Sequence, residues 1–428
     1  MMIAAVLPAM GEWSADAKIG RKVIDRLVRI VDTQVTDVRQ EGKLDYPLHE
    51  IIVLAFFAIL GGADTFTAMA TCCKHKERFF RRFLKLKHGV PSHDTFNRVF
   101  SLVDMTQLEN ALVQFITQAF ENLRKALKIP APAVKQICVD GKVARGSGRH
   151  ADTSQEIKDI QTLHVYSTAD GICLHSRQID TKTNEIPTAQ QILATMDLKN
   201  TLVSFDAMNT QIETLKIITQ RQGYYIGGLK GNHMTMLQEC ASCFDESYLQ
   251  KAKSDDTLSY RDVDKAHNQV ENMEFTLVRV VQTAGSHFAD WPGLRSIIRY
   301  EKRTEHLVSG KKTTEVRYYL SNLTGPVNVA AMAIRQHWQV ESFHWLLDVV
   351  FNDDANMTVN RRASGNMSLI KKMVLSLYRM MKPLEQANTI SAIRQMFYWD
   401  YDGGIKKLLA HCDAGAIAQA VAISTNTG

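Results

Sequence analysis

The sequence predicts an α/β protein: a mixed-sheet core interrupted by a mostly β insertion and preceded by a helical region. Three observations carry that prediction. The apolar runs 134–139 and 202–205 each end in a lone acid, Asp140 and Asp206, as buried strands that stop at a cleft do. Apolar residues recur at three- and four-residue spacing through much of 1–130 and again from about Val329, the period of helices packed by one face. Residues 233–325 read first as helix and then as strands over 274–280, 296–300 and 315–320. The division that follows is a helical part over 1–130, the first part of the core over 131–232, the insertion over 233–325, a core helix within 326–385 and a helical tail over 386–428.

With 428 residues the chain exceeds the roughly 300 at which single cores stop growing, so a large central domain with smaller ones is expected. Apolar residues make up 45% and charged residues 22%, which sets aside disorder and a disulfide scaffold. The ten-residue apolar run Ile51–Leu60 is too short to cross a bilayer and reads as a buried helix. The opening ten residues lack the positive flank of an export signal, so a cytoplasmic protein is expected. Seven cysteines form no regular framework, and Cys240 and Cys243 have no second pair at zinc spacing, which predicts reduced thiols.

Ile19, Val23, Leu27 and Ile30 place the first helix. Pro47 opens a second that stops at Gly61 and Gly62. Asp64 is placed to cap a third, from Thr65 through Lys85, with Phe66, Met69, Phe79, Phe80 and Phe83 inward. Its outer side carries Lys74, Lys76, Arg78, Arg81, Arg82, Lys85 and Lys87 against one acid, Glu77. Seven cations less one acid is an excess of six, equal to the net charge of +6 of the whole chain. Such a face suits a DNA backbone as well as plain solvation. After the turn at 88–92, Ser92 or Asp94 caps a helix holding Phe96, Val99 and Phe100; one more amphipathic helix over 107–128 ends before Pro130 and Pro132.

In the core, strands at 134–139, 162–166 and 172–176 precede the first helix, which starts near Glu185; that order predicts an antiparallel meander leading into a parallel strand at 202–205. A helix over 211–222 and a strand over 223–229 follow. In the late helix Val340, Phe343, Leu347 and Val350 form an inward stripe, with His337, Glu341, His344 or Trp345, and Asp348 on the adjacent face. Glu341 can therefore look into the cleft where the two strand-ending acids emerge. Three carboxylates with no soft ligand suit Mg²⁺, with Mn²⁺ an alternative, and two such ions can activate water or a 3'-hydroxyl on a phosphodiester. Like charges this close repel, which predicts raised carboxylate pKa values without metal. Against this, Asp140 also reads as a turn acid before glycine, Asp206 as a helix cap and Glu341 as a solvated helix residue. Lys142, Arg145 and Arg149 follow the first acid and suit phosphate contact, as does Lys230.

Read together, the stretches 45–50, 89–100, Val139 to Lys142 with Arg145 to Ser147, Gly231-Asn232, Asp264-Lys265 with His267, and 337–351 followed by Asp353-Asp354 resemble the DDE transposases of bacterial insertion sequences, the H-repeat-associated group. The likeness runs over about residues 18–380. It implies an RNase H-like core with the triad Asp140, Asp206 and Glu341, cleavage at terminal inverted repeats, strand transfer into target DNA, a dimer assembled on DNA and work at the nucleoid. The chain departs from the wider pattern. Ile334, His337 and Asp348 surround Glu341 where a Tyr, Arg and Lys signature is usual, so Arg335, Arg361 and Arg362 are the substitute phosphate contacts. Asn268 and Gln269 stand where Gly-Arg is typical, and His233 where glutamine is. A nuclease on the same core and a transposase-derived DNA-binding protein remain the alternatives.

Overall fold

A computed structural model describes residues 17–426 apart from residues 41, 43, 131, 133, 149–157, 180–183, 246–256, 267, 284, 285, 357 and 359. Arg149 and His267 lie outside the described residues.

Among the described residues nine strands form one sheet: β1 Lys135–Ala144, β2 Ile160–Ser167, β3 Ile172–Gln178, β4 Thr201–Phe205, β5 Tyr224–Leu229, β6 Thr257–Ala266, β7 Gln269–Arg279, β8 Ser296–His306 and β9 Lys312–Ser321, in the order β3-β2-β1-β4-β5-β9-β8-β7-β6. β1, β2 and β3 make the antiparallel meander, β4 joins β1 in parallel and β5 joins β4 in parallel. This is the mixed sheet expected of an RNase H-like core. The insertion extends it, because β9 pairs antiparallel with β5 and carries the β6–β9 meander outward. β6 went unread in the sequence. Among the described residues it is the sheet's last strand, paired only with β7, and its stretch from Arg261 to Lys265 sets Val263 alone among charged residues, without the sustained apolar alternation of a half-buried strand.

Alternation divides the sheet's faces. Ile137, Val139, Leu163, Val165, Val203 and Phe205 pack under the crossover helices α7 (Glu185–Leu193) and α8 (Ile212–Gln220). The other face receives the long helix α10 (Val327–Phe351), whose first half packs on β7 and β8 around Phe275 and Tyr300 and whose second half carries the buried stripe Val340, Phe343, Leu347 and Val350. A short helix α9 (Met234–Ser242) precedes the insertion strands.

The N-terminal helices α1 (Ala17–Gln34), α2 (Leu48–Leu60), α3 (Phe66–His75), α4 (Glu77–Phe80), α5 (His93–Leu102) and α6 (Met105–Ala126) share one core with α11 (Arg361–Leu384), α12 (Ile390–Trp399), α13 (Tyr401–His411) and α14 (Ala414–Asn426). The stretch after 386 is thus no loose tail. Tyr401 donates to the carbonyl of Phe57 at 2.9 Å, and Tyr378 to that of Leu60 at 2.6 Å. α2, the ten-residue apolar run, lies at the centre and is buried on every side, as a helix apolar all round must be. The single long helix expected over 65–85 is broken at Lys76, where φ −104° and ψ 12° leave the helical region. Thr65 caps α3 rather than Asp64, which instead pairs with Arg394 of α12 at 2.6 Å. Among the described residues no helix is long and apolar enough to cross a membrane.

Candidate active site

Strand register sets two of the acids side by side. Val139 of β1 pairs with Phe205 of β4 in parallel, so Asp140 and Asp206 each follow the last pair between these strands. β4 stops there, but β1 does not end at Asp140 as expected and runs on to Ala144, because its other side stays paired with β2. Both acids share the face of Cys138 and Ser204, onto which α10 packs. The side chain of Gln136 donates to the carbonyl of Ala333 at 2.8 Å, and Ser204 meets His337 Nδ1 at 3.1 Å. Further along, His344 Nδ1 lies 3.6 Å from Asp140 Oδ2, and Lys142 Nζ 2.6 Å from Asp348. Each two-residue step along β1 matches about one turn of α10, since both advance roughly 5–7 Å. Glu341 falls between His337 and His344 in this ladder, at the level of the acid pair. It lines, with Asp206, a cleft of about 450 Å³ walled by Lys230, Arg317, Tyr319 and Trp338.

Asp140 is largely buried, its side chain 23% exposed. Burial pushes its carboxyl up to about 7, helped by the charges of Asp206, Glu185 and Glu341, while the N–H of Gly141 pulls the other way. The repulsion expected of clustered carboxylates is therefore present at this acid. Asp206 Oδ1 accepts the backbone N–H groups of Met208 at 3.1 Å and Asn209 at 3.2 Å, a turn that fixes the side chain and leaves Oδ2 outside those bonds.

Two features were not read from the sequence. Glu185, at the start of α7, stands close enough to Asp140 and Asp206 to raise the one and be raised by the other. Its only sequence signal was an acid in a first helical turn, which is common for helix-dipole reasons. Behind Asp140, His344 Nε2 meets His164 Nδ1 of β2 at 2.8 Å. Burial drives both rings toward the neutral form, His344 down to about 3, so this pair steadies the acid as neutral imidazoles. Replacing His164 with alanine is expected to leave His344 without its partner and to lower stability by about 1–3 kcal/mol, measured by denaturant unfolding.

The candidate DNA contacts fall into distinct settings. Lys142, only 8% exposed, bridges Asp348 at 2.6 Å and Asp354 at 2.9 Å, tying β1 to α10 and to the turn beyond it. Arg335 pairs with Asp262 and Asp264 of β6. Arg361 donates to the carbonyl of Lys158 at 2.7 Å, and Arg362 to that of Leu102 at 3.5 Å. Lys230 and Arg145 are exposed, Lys230 at the rim of the cleft. Of the basic run, Lys74, Arg78, Lys85 and Lys87 are exposed, Arg81 pairs with Glu77 at 2.6 Å, Arg82 lies over the Phe79 ring, and Lys76 sits between Asp402 and the Tyr401 ring. Lys142→Met should strand the two carboxylates it bridges. Because both acids are about one-third exposed and screened, a loss of roughly 1–3 kcal/mol in unfolding free energy is expected.

Among the described residues no three His, Cys, Asp or Glu side chains already stand in metal-ligating arrangement. The donor chemistry nevertheless fits a hard divalent cation: the acids around Asp140 offer only oxygen, and an Asp140 whose ionisation is opposed by burial and by its neighbours gains from a nearby positive charge.

Residues 33–116 match the family model described as DDE_Tnp_1-associated, and residues 135–377, more than half the chain, match the one described as Transposase DDE domain. "Putative transposase YncI" of Escherichia coli O157:H7 is 27% identical over 357 residues, spanning 82% of this chain and 87% of its own. "H repeat-associated putative transposase YhhI" of E. coli strain K12 is 26% identical over 324 residues, 75% of this chain and 82% of its own. A solved piggyBac transposase synaptic complex with hairpin DNA overlaps 95% of this chain and 80% of its own at 12% identity, with a TM-score of 0.36, too low to carry an inference. With a matching domain that spans the sheet and the helix of Glu341, the chain belongs to the DDE transposase family and is related to its H-repeat-associated bacterial members.

Proposed function

We propose that this chain cuts phosphodiester bonds at the ends of an insertion sequence and joins the freed ends to target DNA, with Asp140, Asp206 and Glu341 holding the divalent metal. The observation that supports this most is the register of β1 on β4, whose last pair, Val139 and Phe205, is followed on each chain segment by one of the two acids. Mg²⁺, or Mn²⁺ in its place and in two copies, would supply the Lewis acidity that activates a water or 3'-hydroxyl and steadies the leaving oxygen. The rest falls to the chain. The turn at Met208 and Asn209 holds Asp206 in place, Lys230 meets a phosphate at the cleft rim, and Tyr319 and Trp338 keep the cleft wall apolar. The substrate is double-stranded DNA bearing terminal inverted repeats, followed by target DNA. The exposed cations between Lys74 and Lys87 track its backbone, and two copies pair on the two ends.

A supercoiled donor carrying the native inverted repeats, incubated with the full chain and Mg²⁺, tests this. Metal-dependent joined products are expected, and Glu341→Gln should reduce them at least about 10³-fold. Nicks or breaks without joining point to the nuclease alternative, and activity undiminished in both Asp140→Asn and Glu341→Gln overturns the residue assignment.

A further inference from the structure

Glu185 has no part in a three-acid site, yet its surroundings are built for it. Asn184 caps α7, its Oδ1 accepting the N–H of Ile186 at 3.1 Å, and so sets Glu185 at the start of the helix. The carboxylate then lies against the Cα of Gly141. A Cβ at that position would collide with both the Cδ and Oε1 of Glu185, so the glycine following Asp140 leaves room for this acid.

Asn209 is an observation independent of the acids. Its side chain is buried, and its amide N–H group donates to Asp206 Oδ1 at 3.4 Å and to Glu185. The amide oxygen is buried and has no partner among the described residues. A buried carbonyl-type oxygen in that position, with no N–H or O–H of the described residues aimed at it, is completed by a cation or by a water.

We propose that Glu185, admitted by Gly141 and held by Asn209, is a fourth carboxylate of the metal site. The inference rests on the reading above that Asp140 and Asp206 hold the cation. The competing role for Glu185 is a helix-end acid that favours α7 through its dipole, and such a role would affect melting but not metal affinity.

Titrating the full-length protein with MnCl₂ and following the free Mn²⁺ signal by electron paramagnetic resonance separates the two. Glu185→Gln is expected to bind Mn²⁺ at least about tenfold more weakly than the unaltered chain, as loss of a supporting carboxylate does elsewhere, with Glu185→Asp recovering part of the loss. Gly141→Ala keeps every acid but displaces the Glu185 carboxylate, and should weaken binding in the same direction. Without metal, Glu185→Gln should melt no lower than the unaltered chain, because it removes one of several mutually repelling charges. If Glu185→Gln and Gly141→Ala bind Mn²⁺ as the unaltered chain does while Asp140→Asn does not, the fourth carboxylate is overturned and the three-acid site stands. If the unaltered chain binds no Mn²⁺, both fall.

Discussion

Asp140→Asn is expected to abolish metal-dependent DNA cleavage, by at least about 10³-fold, while making the metal-free protein more stable at pH 8. The two effects have one cause. Burial and neighbouring acids push the carboxyl up to about 7, from an ordinary value of 3.8. The folded chain therefore holds that proton more tightly than the unfolded chain. Stability from this source is full below about pH 4 and is lost as pH rises through about 7. That difference corresponds to a penalty on the order of 4 kcal/mol above pH 7, and asparagine does not incur it. Unfolding curves of the two proteins without metal should diverge from pH 4 to pH 8 and converge toward pH 4. An Asn variant that is less stable at pH 8 and still cuts DNA would contradict both the burial of the charge and its role.

Ending the chain at Glu385 is expected to prevent folding. The helices beyond that point bury Ile390, Ile393, Phe397, Tyr401, Ile405, Leu408, Leu409 and Ile417 in the core shared with the N-terminal helices. At roughly 1.5–3 kcal/mol for each large side chain, their removal costs about 10 kcal/mol or more, comparable with the whole stability of a typical domain. The cut also uncovers Phe79 and Phe80, whose rings pack on Tyr401, and unpairs Asp64, whose partner Arg394 lies in α12. Circular dichroism and size-exclusion chromatography of the truncated protein should show aggregate or unfolded chain. A monodisperse protein with native helix content would show that the C-terminal helices are dispensable.

How far the sequence could be read depended on the range of the interactions involved. The mixed sheet and the place of Asp206 were legible because apolar runs that stop at an acid are local signals; the same signal misplaced the end of β1, which runs past Asp140 to Ala144 in pairing with β2. Glu341 was legible from the stripe Val340, Phe343, Leu347 and Val350, whose burial fixes which side of α10 is left for the cleft. The contribution of the C-terminal helices was not legible, since nothing near Tyr401 records that its partner is Phe57 of α2, more than 300 residues earlier. Glu185 was hidden for the same reason: it meets Asp140 through Gly141 of β1, which is remote in the chain from α7. Lys142 and Arg335 read as free cations in the sequence, but the acids that engage them, Asp348 and Asp354 for one and Asp262 and Asp264 for the other, are remote in the chain. β6 was missed because a strand at the edge of a sheet, with few apolar residues, leaves no periodic trace.

The most direct measurement is an anomalous-diffraction map from crystals of the full chain grown with Mn²⁺ and a DNA end. Manganese density is expected within about 2–2.5 Å of carboxylate oxygens from both Asp140 and Asp206, with Glu341 brought to the same site. Manganese bound elsewhere, with these three side chains turned away from it and from the scissile phosphate, would rule out a metal site on these acids.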